Sequence, residues 1–371
     1  MVGFLFYIAV FLVVLTVLVF VHEFGHYWVA RRNGVRVEVF SIGFGPELFG
    51  FTDHAQTRWK ISAVPLGGYV KMFGDANEAS VPGVGVTSMS PAEREVSFHH
   101  KRVGQRAAVV AAGPIANFLF AVLVMAGLFL FEGHPFPPAV VGAVEPASAA
   151  ERAGFEAGDR IVSVDGRRID RFAELSFLVH GSGGEPLAFT VERAGQELSL
   201  EASADPVTLE TADGRPVESY RLGLRAETGP YGLVESVIKS AEETARLTWM
   251  TLVSVGEMVT GDRGTEELGG PLRIAQMAGD VAQVSVPALI WFTAILSINL
   301  GLINLFPIPM LDGGHLLFYA FEALRGRPLG ERAQEYGFRI GLALVLMLMI
   351  FATWNDLVQL RVVAFLKDLI S

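Results

Sequence analysis

Residues 10–32 read VFLVVLTVLVFVHEFGHYWVARR, an apolar run that passes without a break into His22-Glu23-Phe24-Gly25-His26 and ends on Arg31 and Arg32. The whole run, Val2–Val21, has the roughly 20 apolar positions that a helix needs to cross a bilayer core. It lacks a basic leader and a small-residue cleavage site, so it reads as a retained anchor rather than a secretion signal. On a helix, His22 and His26 lie one turn apart on one face. Both imidazoles can then hold one Zn²⁺ while Glu23 reaches a water beside it. With 8 His in the chain, chance would produce about 0.01 such spacings.

Composition agrees with a membrane setting. Of 371 residues, 51% are hydrophobic and only 18% charged, and the mean hydropathy is +0.42, a balance rare for a soluble globule. Three further charge-poor runs, Ala107–Phe131, Val281–Leu311 and Tyr336–Trp354, bring the expected spans to four. The formal charge of −10 argues against a general nucleic-acid binder. With no Cys, a disulfide framework, a thiolate zinc site and thiol catalysis are excluded, leaving His, Asp and Glu as metal ligands.

Basic residues resist translocation and so set orientation. Arg31, Arg32 and Arg36 follow the first span, Lys101, Arg102 and Arg106 precede the second, and Arg325, Arg327, Arg332 and Arg339 lie between the third and fourth. Both termini and the 132–280 region are therefore expected outside the cytoplasm. The first and third spans then run in the same direction and end at the same depth. That brings Leu311-Asp312-Gly313-Gly314-His315 level with His22, so a third metal ligand can come from Asp312 or His315. A carboxylate is compatible with a catalytic zinc that keeps one position open. Just before it, Asn304-Leu305-Phe306-Pro307-Ile308-Pro309 cannot be regular helix, because two prolines remove backbone donors. Irregular backbone at membrane depth is tolerated only beside protein or a watery cavity, and a hydrolase in a membrane needs such a cavity. Asn299 and Asn304 offer amides to a substrate or to a neighbouring helix.

On these motifs the chain resembles the site-2 protease family, specifically the bacterial RseP-type intramembrane zinc metalloproteases. His22-Glu23-x-x-His26 matches the first-span motif, and Asn304-x-x-Pro307-x-Pro309-x-Leu311-Asp312-Gly313-Gly314 matches the third-span motif. The resemblance implies one Zn²⁺ per chain on His22, His26 and Asp312, Glu23 as general base, and Asn304 as a substrate- or transition-state-contacting residue. It also implies a bacterial cytoplasmic (inner) membrane location. Single-span membrane proteins already trimmed on the external side would be the substrates, including anti-sigma factors and signal-peptide remnants.

Between the first two spans, Val35–Phe40 and Arg58–Ser62 alternate apolar and polar residues as strands do, and Gly67-Gly68-Tyr69-Val70-Lys71-Met72 adds a turn and a short extended run. In the family this region resembles a membrane-associated β-structure beside the active site. A sheet edge can hold an unwound substrate as an added strand, which makes Gly67, Gly68 and Tyr69 candidate substrate contacts beside Asn299, Asn304, Pro307 and Pro309. Gly74–Ser90 reads as a loop. The external region starts with a stiff linker, Gly133–Pro138. Then come an extended segment Val140–Val144, a helical segment Ala147–Ala153, a strand closed by Asp165-Gly166, a helix Phe172–His180, and a hairpin of Leu187–Glu192 with Glu197–Glu201 around Ala194-Gly195. This order resembles a circularly permuted PDZ domain, whose generic use is to capture an extended peptide or protein C-terminus. Residues 132–230 leave room for one such domain, whereas some relatives carry two in tandem. Leu233–Val259 has helical apolar spacing and suits either the external membrane surface or packing on the PDZ-like domain; Gly261–Gly270 reads as a loop.

The expected fold class is thus a polytopic α-helical membrane protein with four transmembrane helices, a membrane-associated β-region and one extracytoplasmic PDZ-like α+β domain. Its divisions are 1–30 first span, 31–106 cytoplasmic-side β-region and loop, 107–131 second span, 132–230 external domain, and 231–280 amphipathic helix and loop. They continue with 281–312 third span, 313–335 cytoplasmic loop, and 336–371 fourth span and tail. The expected partners are the lipid bilayer, single-span substrates and a peptide at the external domain, with no nucleic acid. The rival reading is a catalytically silent membrane receptor that binds external peptides, against which the complete H-E-x-x-H argues. A transporter would show internal repeats, and the two halves show none.

Overall fold

The apolar run that carries the H-E-x-x-H is one uninterrupted helix, α1 (Val2–Arg32), closed by Arg31 and Arg32, whose charge suits the carbonyl end of a helix. The computed structural model describes residues 2–75, 88–133, 137–210, 216–226, 229–262, 264, 269–327 and 330–359. The core of the expected loop Gly74–Ser90, most of the linker after Gly133, half of the Gly261–Gly270 loop and the tail beyond residue 359 lie outside the described residues.

After α1 come two long strands, β1 (Val37–Thr52) and β2 (Arg58–Met72), which form an antiparallel hairpin. The expectation of three short separate strands is corrected here. The hairpin doubles on itself, so that residues 39–42 lie between 58–61 on one side and 68–71 on the other, while 47–52 pair with 58–62. Val37, Phe40, Val70 and Met72 are buried with Ala30 of α1. A capped turn of helix, α2 (Pro91–Val96), with Ser90 and Glu93 forming a capping box, leads to α3 (Val103–Phe131).

The chain divides into two compact units, 1–126 with 237–371, and 127–236. The smaller contains β3 (Val141–Val144), α4 (Ala149–Ala153), β4 (Arg160–Val164), β5 (Arg167–Arg168), α5 (Phe172–Gly181), β6 (Pro186–Arg193), β7 (Gln196–Ser203), β8 (Asp205–Glu210), β9 (Pro216–Arg221) and β10 (Leu224–Ala226). Its sheets run β5-β4-β6-β7, β10-β3 and β8-β9, around a core of Phe155, Ile161, Val164, Leu175, Phe189 and Val191. Both tight turns have two successive residues at positive φ, Asp165 (48°) with Gly166 (76°) and Ala194 (49°) with Gly195 (79°), the pattern whose twist matches a hairpin. Asp159 is 0% exposed and is gripped by the Arg193 fork at 2.6 and 2.7 Å and by the Glu156 amide at 2.9 Å.

The larger unit continues with α6 (Leu233–Thr260), α7 (Pro271–Val284), α8 (Val286–Leu305), α9 (Asp312–Arg325) and α10 (Glu331–Gln359). Among the described residues four helices, within α1, α3, α8 and α10, are long and apolar enough to cross a membrane, so the fold class agrees with the sequence. Two expectations are corrected. The 281–312 run is not one element: Ser285 caps a new helix by accepting from the Ala288 amide, with a proline in the first turn, and residues 281–284 belong to α7. The expected loop 313–335 is helical over most of its length, because Asp312–Arg325 forms α9 and stops at Gly326 with φ 69°. In α6, Ser240, Glu243 and Thr244 are buried while Val237, Ile238, Trp249, Met250, Leu252 and Val253 are exposed. A polar face turned inward and an apolar face turned outward suit lipid rather than water outside. Asp356 of α10 is buried and accepts from the amides of Gly270, Leu272 and Arg273 (2.7, 3.0 and 3.1 Å), so it caps α7 where the residue at the cap itself, Gly270, has no side chain.

Burial alone would raise the Asp159 carboxyl, but the Arg193 guanidinium and the Glu156 amide outweigh it and hold it below the ordinary value. Its stabilisation is therefore fully present above the unfolded value, about 3.9, and is lost as the pH falls through the lower folded value. Arg193→Ala would strand a buried carboxylate at a cost of about 3 kcal/mol. In the detergent-solubilised chain, amide exchange in the smaller unit should rise by about two orders of magnitude at pH 7. The gap to wild type should narrow as the pH falls, first as the stranded carboxylate of the variant, raised by burial, takes up its proton, and then below about pH 4 as the wild-type pair is lost. Unchanged exchange would mean the pair contributes nothing.

Candidate functional site

Three elements converge on one point. His22 and His26 stand one turn apart on α1, both buried, and Asp312 is the first residue of α9. Between α8 and α9 the chain is non-helical, and Met310 takes a positive φ of 86°. Tight packing closes this turn: a Cβ at Gly313 would overlap the carbonyl oxygens of Leu305 and Phe306, and one at Gly314 the oxygen of Ile308. Gly341 of α10 meets the Pro309 carbonyl in the same way.

The three ligand atoms form a nearly equilateral triangle. His22 Nε2 to His26 Nε2 is 3.2 Å, His22 Nε2 to Asp312 Oδ2 3.2 Å, and His26 Nε2 to Asp312 Oδ2 3.5 Å. A tetrahedral zinc with bonds of about 2.0–2.1 Å holds its ligands about 3.3–3.4 Å apart. Asp312 Oδ2 is also buried without a hydrogen-bond donor, a costly state for a carboxylate that a cation would relieve. The residues thus fit the ion that their donor types suggest. Among the described residues this is the group of His, Asp or Glu that could hold a metal. His315 is not part of it and packs between the rings of Tyr319 and Phe338.

The imidazoles are oriented from behind by α3. His26 Nδ1 lies 2.9 Å from the Val109 carbonyl; donating there leaves Nε2 free to bind. His22 Nδ1 lies 3.2 Å from the side-chain amide of Asn117. Gly113 makes room, since a Cβ there would overlap His26 Nε2 and come within 2.9 Å of His22 Cε1. Gly25 does the same on α1, where a Cβ would meet the Ala112 carbonyl.

A cavity of about 230 Å³ opens over this centre, lined by His22, Glu23, His26 and Asp312, by Gly68, Tyr69, Val70 and Met72 of β2, and by Asn304, His315 and Tyr319 among others. Among the described residues, 68–71 pair with β1 on one side only. The approach is close, for a Cβ on Gly68 would lie 2.7 Å from Val19 Cγ1 and 3.1 Å from Glu23 Cγ. On the far side, partly buried Arg106 of α3 pairs with Glu322 of α9 at 2.5 Å and lies over the Tyr319 ring.

Of the residues singled out in the sequence, His22, Glu23, His26, Asp312, Asn304, Gly68 and Tyr69 meet at the cavity. Asn304 Nδ2 donates to Leu300 O at 3.0 Å. Asn299, Pro307, Pro309 and Gly67 are not among its lining residues. Asn299 instead accepts from Thr251 of α6 at 3.2 Å, an ordinary inter-helix bond. Gly67 lies against Phe44, and Pro309 lies under α10. Sequence reasoning missed Gly113 and Asn117. Their signal was Gly113-Pro114-Ile115-Ala116-Asn117, a pair of small or polar residues one turn apart in a span, the pattern of close helix packing.

Comparison with known proteins gives the family. Residues 10–348 match peptidase family M50. A candidate zinc metalloprotease of Agrobacterium fabrum is 47% identical, with 95% of this chain and 96% of that one aligned. The regulator of sigma-E protease RseP of Escherichia coli is 34% identical over 97% of this chain and 100% of its own length. That alignment runs over 465 positions against 371 residues here, so RseP carries material that this chain lacks. A solved PDZ domain of the SdrC-like protein from Listeria monocytogenes covers 25% of this chain and 90% of its own, at 16% identity and a TM-score of 0.19.

Gly113→Ala is expected to weaken zinc binding at least tenfold, by about the cost of disturbing ligand orientation, with helical content by circular dichroism unchanged. Zinc affinity equal to wild type would show that α3 does not set the imidazole positions.

Proposed function

The chain belongs to peptidase family M50 and is an intramembrane zinc metalloendopeptidase; from that premise we propose how its residues divide the work. His22, His26 and Asp312 hold one zinc ion per chain, and Glu23 is the general base. The observation that carries this assignment is the 3.2, 3.2 and 3.5 Å triangle closed by a buried carboxylate oxygen without a donor. Bound there, zinc supplies a Lewis acid that polarises the scissile carbonyl and makes water a nucleophile near neutral pH.

The protein's own groups do the rest. Glu23 takes the proton of the attacking water on its carboxylate and returns it to the leaving amine. The open edge at residues 68–71 holds substrate backbone extended by strand addition, and contact of Gly68 with Glu23 keeps that backbone beside the base. Asn304 offers its amide to the substrate or the developing oxyanion. Asn299 and the two prolines support the scaffold, with no direct substrate contact. Substrates are single-span membrane proteins trimmed on the outer side, of anti-sigma-factor or signal-peptide-remnant type.

The smaller unit serves as one PDZ-like peptide-binding module. A groove of about 240 Å³ between α5 and the end of β9 with the start of β10, lined by Leu175, Val179, His180, Tyr220, Leu222 and Leu224, supports this reading, as does β10, which among the described residues pairs with β3 alone. The orientation follows from the basic residues: both termini and the smaller unit outside the cytoplasm, in a bacterial inner membrane.

Metal content of the detergent-purified chain, with cleavage of a single-span substrate, tests the centre. Wild type should hold about one zinc and cleave. Asp312→Ala should lose zinc, and Glu23→Gln should keep zinc and lose cleavage by several orders of magnitude. Normal turnover by Glu23→Gln would remove the base from the scheme. Orientation has a separate test, because the chain has no Cys. In spheroplasts, an impermeant maleimide should label Arg168→Cys, whose native side chain is 84% exposed, and should label Arg325→Cys only after lysis. The opposite labelling would invert the topology.

A further inference from the structure

Asn117 is fully buried in α3, held there by Ser297 of α8, whose Oγ donates to the Asn117 carbonyl at 2.9 Å, and by Gly301, where a Cβ would come within 3.2 Å of Asn117 Cβ. Its side-chain nitrogen lies 3.2 Å from His22 Nδ1, while its oxygen Oδ1 is buried without a donor. A buried acceptor without a donor is costly. An amide can present either its oxygen or its nitrogen within the same outline.

The demand on His22 decides between them. To give a metal the lone pair on Nε2, an imidazole must carry its proton on Nδ1. His26 has a fixed acceptor for that proton in the Val109 carbonyl, 2.9 Å away. For His22 the partner at Nδ1 is Asn117. With nitrogen facing nitrogen, Asn117 would favour the tautomer that protonates Nε2, and would leave Oδ1 orphaned as well. With the amide turned over, Oδ1 accepts from Nδ1–H and both problems end together.

We propose that Asn117 is a positioning residue for the metal centre: its amide oxygen accepts from His22 Nδ1–H and fixes the tautomer that turns Nε2 toward Asp312 and His26. The assignment rests on the zinc reading of that site. Asn117 touches neither metal nor substrate, and it acts only through His22.

Zinc affinity of the full-length, detergent-purified protein, stripped and then titrated in competition with a chromogenic chelator, tests this without reference to turnover. Asn117→Ala and Asn117→Leu remove the acceptor and should bind zinc about ten- to a hundredfold more weakly than wild type. Asn117→Asp keeps an acceptor at the same reach and should bind within about threefold of wild type or more tightly, since a carboxylate makes the ligand more basic. A purely packing role predicts the reverse order, with the apolar Leu tolerated and the buried Asp harmful. If Leu fails to fold, the comparison of Ala with Asp still decides. Wild-type affinity in Asn117→Ala, or Asn117→Asp as weak as Ala, overturns the proposal while leaving the metal site standing. A wild type that binds no zinc, and so matches a His26→Ala control, overturns the metal reading and this assignment with it.

Discussion

Close backbone approach is the constraint on which this molecule rests. Three ligands carried by α1 and the start of α9 can come within 3.2–3.5 Å of one another only if the segments bearing them almost touch. Side-chain volume has been removed wherever they do. Gly25 lies on the α3 backbone, Gly113 lies on the two imidazoles, and Gly313 and Gly314 lie on the carbonyls of residues 305–308. Each position would need a neighbour to move if it carried even one methyl group. In a bilayer, where apolar surface gains nothing by leaving lipid, packing and inter-helix hydrogen bonds hold helices together. The same glycines that admit the ligands therefore also let the bundle cohere.

The second constraint is the fate of polar groups at membrane depth. Residues 306–311 leave the helical pattern between α8 and α9, and irregular backbone there is acceptable only against protein or a watery cavity. It finds both, with α10 behind Pro309 and the 230 Å³ cavity in front. Other polar groups follow the same rule inside the larger unit. Thr251 meets Asn299, Asp356 meets the α7 amides, and Arg106 meets Glu322.

Local rules made part of this legible in advance. Apolar runs of spanning length, the i, i+4 histidines and the Asp-Gly turn at 165–166 each depend on residues close in sequence, and each is found where the pattern puts it, apart from the bounds of the third run. What stayed hidden depends on distant partners or on competing signals. α9 was obscured by the arginines at and beyond its end, Arg325, Arg327 and Arg332, which read as loop charge although Leu316, Tyr319 and Ala320 carry a helical face. The α7–α8 break was written in Ser285 and Pro287, but the apolar run around them outweighed it. The doubled hairpin could not be foreseen, because a strand of ordinary length gives no sign that it will be flanked twice. Asn299 and Asn117 show the limit most clearly. Both are amides in apolar spans, and only the neighbouring helix distinguishes the one that bonds to α6 from the one that faces His22.

The position of Gly68 joins the two halves of the proposed chemistry. A substrate strand added at residues 68–71 would lie in a register fixed by β2, and a slip of one residue would turn every side chain to the other face. Because Gly68 of β2 leaves no room for a Cβ beside Val19 and Glu23 of α1, that register would be fixed relative to the proposed base itself rather than to a separate wall of the cavity. A bulkier residue at 68 would push the edge off α1 and move the substrate backbone and the carboxylate apart in one step. In the proposed scheme the spacing between peptide and base would thus be set by the backbone of Gly68, which tolerates any substrate side chain. Under the proposed scheme, a site built this way would select first for a segment that can unwind into a strand, and only then for sequence.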